Sequence, residues 1–136
     1  IKTMNKREVV VNALEAMGYK PEIDSDGDVK FSYQMKTLYV LGTQKENDGD
    51  NYIVVMLPQF CEISEGDEIK ALTVCNKLTR DVTVAKLYID RTLKDVTSSY
   101  EFFYCGEECL RAQLEHSLDI IGMMRSAFYK ALREFS

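Results

Sequence analysis

The sequence predicts an α+β fold, an antiparallel-rich sheet packed by helices in the order α-β-β-β-α-β-β-α. Three observations carry this. Apolar residues recur at helical intervals in three separate segments. Between those segments the period falls to two, in short runs rich in Val, Ile, Tyr and Phe. Most of the runs are joined by short polar or Asp-Gly turns, which return the chain antiparallel to itself.

The first helix is predicted over about 5–17. Asn5 and Glu8 have capping-box spacing, and Val10, Leu14 and Met17 share one stripe. Gly18 suits the left-handed position that ends a helix, and Pro21 blocks continuation. From Glu22 the period is two. Val29, Phe31 and Tyr33 alternate with polar residues in a strand at about 28–34, preceded by the hairpin signal Asp26-Gly27. Strands at about 37–43 and 51–57 are apolar on both faces, and Asp48-Gly49 turns one into the other. Ser64-Glu65-Gly66-Asp67 opens a helix at about 65–79, with Ala71, Leu72, Cys75 and Leu78 inward. Strands at about 82–90 and 98–105 flank a polar turn near Arg91 to Asp95. A long helix at about 107–135 carries Leu110, Leu114, Leu118, Ile121, Phe128, Leu132 and Phe135, its face widened by Ile120, Met123, Ala127 and Ala131. Without repeats, low-complexity tracts or linkers, residues 1–136 are expected to form one domain.

Composition narrows the function classes. The chain is 46% hydrophobic and 29% charged, the balance of a folded domain. A net charge of −5, with lysine and arginine scattered, argues against an electrostatic grip on nucleic acid or an anionic membrane. No apolar run approaches the ~20 residues of a membrane span. The sequence shows no secretory signal, although it opens Ile1-Lys2-Thr3-Met4, which leaves a removed leader open. Cys61, Cys75, Cys105 and Cys109 are expected to be reduced, since Cys75 falls within a helical stripe. A cytoplasmic location follows as the expectation.

No catalytic centre, metal site or cofactor site is expected. Asp24-Ser25-Asp26-Gly27-Asp28 has the composition of a calcium loop, but the EF-hand positions for glycine and for the bidentate glutamate hold Val29 and Met35. Cys105 and Cys109 have zinc spacing without a second pair of ligands. His116, the sole histidine, lies roughly 10 Å along the helix from Cys109, too far for direct proton transfer. Phosphate-binding glycine loops, the nucleophile elbow and the zinc-protease helix signature are absent.

What remains is aromatic surface. Eight tyrosines and six phenylalanines sit mainly on strands, and strands apolar on both faces need both covered. Three helices can cover one face fully. Tyr39, Tyr52 and Tyr100 are therefore expected to be exposed anchors for a protein or peptide partner, with a homodimer as the expected assembly. Strand addition at a sheet edge or helix-in-groove docking would be the mode. The alternative is a small-molecule sensor with a pocket between the last helix and the sheet, lined by Met123 and Met124.

The chain resembles the YbjN family of bacterial sensory transduction regulators. The residues that carry the resemblance are Leu14-Glu15-Ala16-Met17-Gly18-Tyr19 and the phrase Glu22-Ile23-Asp24-Ser25-Asp26-Gly27-Asp28-Val29. Ala71 to Leu78, ending Cys75-Asn76-Lys77-Leu78, and Lys86-Leu87-Tyr88-Ile89-Asp90 extend it across nearly the whole chain. The resemblance implies the fold of type III secretion chaperones and a non-enzymatic, often dimeric, regulatory or chaperone-like role. It brings no active-site residues.

Overall fold

The computed structural model describes residues 5–43 and 51–135. Three helices and six strands follow in the order α1 (Lys6–Ala16), β1 (Glu22–Ile23), β2 (Val29–Tyr33), β3 (Lys36–Leu41), β4 (Tyr52–Glu62), α2 (Glu68–Asp81), β5 (Ala85–Ile89), β6 (Asp95–Phe103) and α3 (Gly106–Glu134). The strands form one antiparallel sheet in the order β1-β2-β3-β4-β6-β5. The α+β class and the sequence of predicted elements hold, with β1 added. That strand has two residues, with Glu22 opposite Lys30 and Ile23 opposite Val29.

Local chemistry sets the element ends. Asn5 caps α1 by accepting the Glu8 N–H at 2.9 Å, and Gly18 follows the helix at φ +95°. The Asp24–Asp28 turn is organised by one carboxylate: Asp24 Oδ1 accepts the N–H groups of Asp26 and Asp28, both at 2.9 Å. Asp48-Gly49 lies outside the described residues.

Four boundaries differ from the sequence reading. α2 starts at Glu68, because Ser64–Asp67 closes a turn through Asp67 N–H to Ser64 O with Gly66 left-handed. β4 continues past Leu57 to Glu62. Pro58 and Gln59 form a bulge where the register with β6 shifts, and the Gln59 N–H is taken by Thr97 Oγ1 at 3.0 Å. β5 begins only at Ala85, after Val84 at φ +60°, and β6 begins early, at Asp95.

One face of the sheet is buried. Val29, Phe31, Leu38, Val40, Ile53, Val55, Leu57, Tyr100, Phe102 and Leu87 lie beneath the helices, in one core with Val10, Leu14, Leu114, Ile121, Met124 and Phe128. Fully burying each large aliphatic or aromatic side chain of this kind contributes roughly 1.5–3 kcal/mol. Leu72 is a correction: it is 52% exposed, and Val74 takes its expected place on the inner stripe of α2.

Tyrosine hydroxyls pin α3 to the sheet. Tyr33 of β2 donates to Leu118 O at 3.2 Å, Tyr100 of β6 to Gln113 Oε1 at 3.1 Å, and Tyr129 of α3 to Phe60 O at 2.7 Å. Gly122 leaves room for this contact, since a Cβ there would sit 2.9 Å from the Tyr33 hydroxyl and one of the two would have to shift. The free edge of β5 is closed by another hydroxyl. Thr79 of α2 accepts the Leu87 N–H at 2.8 Å and donates to the Leu87 carbonyl at 3.2 Å.

Two stability experiments follow. Gly122→Ala should stabilise the Tyr33→Phe background by up to about 1 kcal/mol, the helix-propensity difference. In the parent the clash should cancel that gain, giving a coupling of about 0.5–1 kcal/mol in a double-mutant cycle by urea unfolding. Additivity would show that the contact is not limiting. Thr79→Val should cost about 1 kcal/mol on the same assay and uncap the β5 edge, raising aggregation at high concentration.

Candidate functional surface

The alternation that buries one face presents the other. No helix covers it among the described residues. Tyr39 and Leu41 of β3, Tyr52, Val54 and Met56 of β4, and Phe103 of β6 occupy it in cross-strand register. Tyr39 lies opposite Met56, Leu41 opposite Val54, and Tyr52 opposite Phe103. Five of the six are half-buried among one another, and Phe103 is 71% exposed. The result is an apolar platform on an antiparallel sheet, the kind that can face water on one side.

Polar contacts hold one side of the platform. Tyr52 donates its hydroxyl hydrogen bond to Glu101 Oε2, while Lys86 pairs with Glu101 Oε1 at 2.7 Å. The Tyr52 ring packs on Phe103 with centroids 5.1 Å apart. The hydrogen bond to Glu101, then desolvation, pushes the Tyr52 phenol up to about 12. Lys86 first, then Tyr52, holds the Glu101 carboxyl below its ordinary range. Next to this lies a groove of about 510 Å³ bounded by Met56, Pro58, Gln59, Tyr88 and Arg91, with Thr97 at its base.

Of the three expected anchors, Tyr39 and Tyr52 stand on the platform and Tyr100 does not. Tyr100 is only 2% exposed, on the helix-covered face, where it bonds Gln113 and meets His116 edge-on at 5.9 Å. The reason is parity: opposite Val55 of β4, it shares the buried side with every residue in that row. His116 is thus a packing partner of an aromatic ring. The two methionines expected to line an interior pocket are split, with Met124 fully buried in the core and Met123 47% exposed.

The other polar candidates do not assemble. All four cysteines are free, with Cys61 and Cys75 held up by burial, Cys75 to about 11. Among the described residues no three of His, Cys, Asp and Glu group as metal ligands, and no helix is long and apolar enough to cross a membrane.

A second surface was missed by sequence reasoning. Between α2 and β5 lies a cleft of about 520 Å³ lined by Leu72, Cys75, Leu87, Ile89 and Leu93, with Glu68 and Asn76 beside them. The misplacement of Leu72 on the inner stripe of α2 concealed it.

Comparison with known proteins fits this architecture. The profile of the YbjN family, described as "Putative bacterial sensory transduction regulator", matches residues 6–134. The chain belongs to the YbjN family. No curated protein sequence matches it. Among solved structures, it is similar to YbjN from E. coli, described as "a putative transcription regulator", at 10% identity, with 87% of each chain covered and a TM-score of 0.66. It is also similar to an uncharacterized protein from Methanothermobacter thermautotrophicus at 13% identity, over 90% of this chain and 99% of that one, with a TM-score of 0.48. At 10% identity the likeness to the E. coli structure is one of fold. The family's description is regulatory and names no reaction.

The Tyr52–Glu101 contact gives a pH prediction. A phenol raised from 10 to about 12 contributes stability that is present below pH 10 and lost as pH rises from 10 toward 12. The lowered Glu101 carboxyl contributes stability present above its ordinary value of 4.5 and lost as pH falls through its folded-state pKa. Glu101→Gln should therefore return the Tyr52 phenol toward ordinary ionisation, read as an earlier alkaline absorbance rise that Tyr52→Phe abolishes. An unchanged alkaline titration curve would sink this assignment.

Proposed function

We propose that this YbjN-family chain is a non-enzymatic regulatory or chaperone-like protein that captures a protein or peptide partner on the open face of its sheet. The observation carrying the proposal is the platform itself: six apolar or aromatic side chains from three strands, in register, on a face that no described helix covers. Interfaces draw their energy from such a cluster of aromatic anchors within a polar rim, here supplied by Lys30, Lys86 and Glu101. Tyr52 suits the role because Glu101 and Phe103 already fix its rotamer, so little side-chain entropy is lost when a partner closes over it.

Strand addition is not the favoured mode. The outer edge of β5 is occupied at Leu87 by Thr79, and the opposite edge ends in the two-residue β1 after Pro21. Face-on docking needs neither edge. The family's regulatory role would then be exercised by holding or releasing another protein, in the cytoplasm, with a second copy of the chain as the first partner to test.

Tyr39→Ala combined with Tyr52→Ala should weaken self-association or partner capture by at least ~10-fold while leaving the fold intact. Light scattering under reducing conditions reads the self-association; affinity capture with parent and double variant reads partner binding. If both are unchanged by the double substitution, the open face is not the binding surface.

A further inference from the structure

We propose that the α2–β5 cleft seats an amphipathic helix of a partner protein, apolar side chains inward and a basic residue toward the start of α2. This rests on the reading of the chain as a protein-binding module, but not on the open sheet face. Two of the residues lining the cleft are large, apolar and left in solvent: Leu93 is 72% exposed and Leu72 is 52% exposed. They rim a cleft whose inner lining of Cys75, Leu87 and Ile89 is also apolar. A recess of this size with an apolar rim suits one or two bulky side chains from a larger surface.

Leu93 stands at the tip of the β5–β6 hairpin, on the rim of the cleft. It adopts φ +63°, a conformation that costs a branched residue about 1–2 kcal/mol and that glycine or asparagine would meet freely. The hairpin tip is fixed by its own hydrogen bonds, Leu93 N–H to Asp90 O at 3.0 Å and Thr92 N–H to Asp90 Oδ1 at 3.0 Å. The left-handed backbone thus holds an aliphatic side chain out beside an apolar cleft.

The chemistry of the occupant follows from the surroundings. An extended strand is disfavoured because Thr79 already uses both the N–H and the carbonyl of Leu87, and the Ala85 N–H is turned back to Thr83 O at 2.8 Å. A helix brings its own backbone partners and needs only side-chain contact, through residues three or four apart. Charge orients it. Glu68 lines the cleft, and Glu65, Asp67 and Lys70 flank it in sequence at the start of α2; Lys94 is on the hairpin, while Arg91 lines the groove on the open face instead. A partner helix with lysine or arginine over that acidic end is complementary; an acidic one is repelled.

The test uses the full chain and synthetic peptides of about 14 residues, long enough for a helix to form on binding. One is a leucine–lysine peptide patterned at the helical period, the second a leucine–glutamate equivalent, and the third the leucine–lysine composition in strict alternation. Binding is followed by NMR shifts. The helical leucine–lysine peptide should bind saturably, with shifts confined to Leu72, Cys75, Leu87 and Leu93. Leu93→Gly relieves the strain and keeps the fold, so it should hold or raise Tm while weakening that binding at least ~10-fold. Equal binding by either control peptide, no binding, or unchanged affinity in Leu93→Gly overturns the proposal. Shifts centred on Tyr39 and Tyr52 also overturn it, but support the open-face reading. A concentration-dependent mass that Leu72→Asp abolishes makes a second copy the occupant and overturns it as well.

Discussion

Among the described residues the helices cover the sheet on one side only, and that allocation governs which residues each strand buries. α1, α2 and α3 all address the face carrying Val29, Leu38, Val55, Leu57 and Phe102, so each strand spends its in-pointing residues on a common core. The helix that matters most is α3. Its stripe from Leu110 to Phe128 spans the sheet, and tyrosine hydroxyls fix its height above β2, β4 and β6. Those bonds are individually worth only about 1 kcal/mol. Their value is positional, because they connect α3 to three different strands.

That allocation leaves the out-pointing residues of β3, β4 and β6 with no cover from a described helix. Tyr39, Leu41, Tyr52, Val54, Met56 and Phe103 are apolar or aromatic and stand in cross-strand register, with the Tyr52 ring packed on Phe103. The chain of a family described as regulatory carries an aromatic platform and a β5 edge occupied at Leu87 by Thr79.

Much of the fold was legible because its signals are local. The cap at Asn5, the glycine at 18 and the single-carboxylate turn at Asp24 use only neighbours in sequence. Alternation in β2 and the long stripe of α3 were equally plain. The failures came where long-range partners decide. Pro58 read as the end of a strand, but β6 supplied Thr97 to accept the next N–H and let β4 run on through a bulge. Tyr100 read as an exposed anchor because its strand is aromatic on both faces; only its pairing with Val55 reveals the buried side. Leu72 belonged by spacing to the inner stripe of α2, and the position of β5 placed it in solvent instead. Candidate surfaces depend on such pairings more than elements do, so they were the less readable part.

The central claim is that the open sheet face meets another protein in the cell. Photo-crosslinking tests it most directly, with benzoylphenylalanine placed at Met56 on the platform and, as a control, at Lys130 on the exposed side of α3. The account predicts a discrete adduct of defined mass from position 56 and none from position 130. No adduct from position 56, or the same set of adducts from both positions, would contradict it.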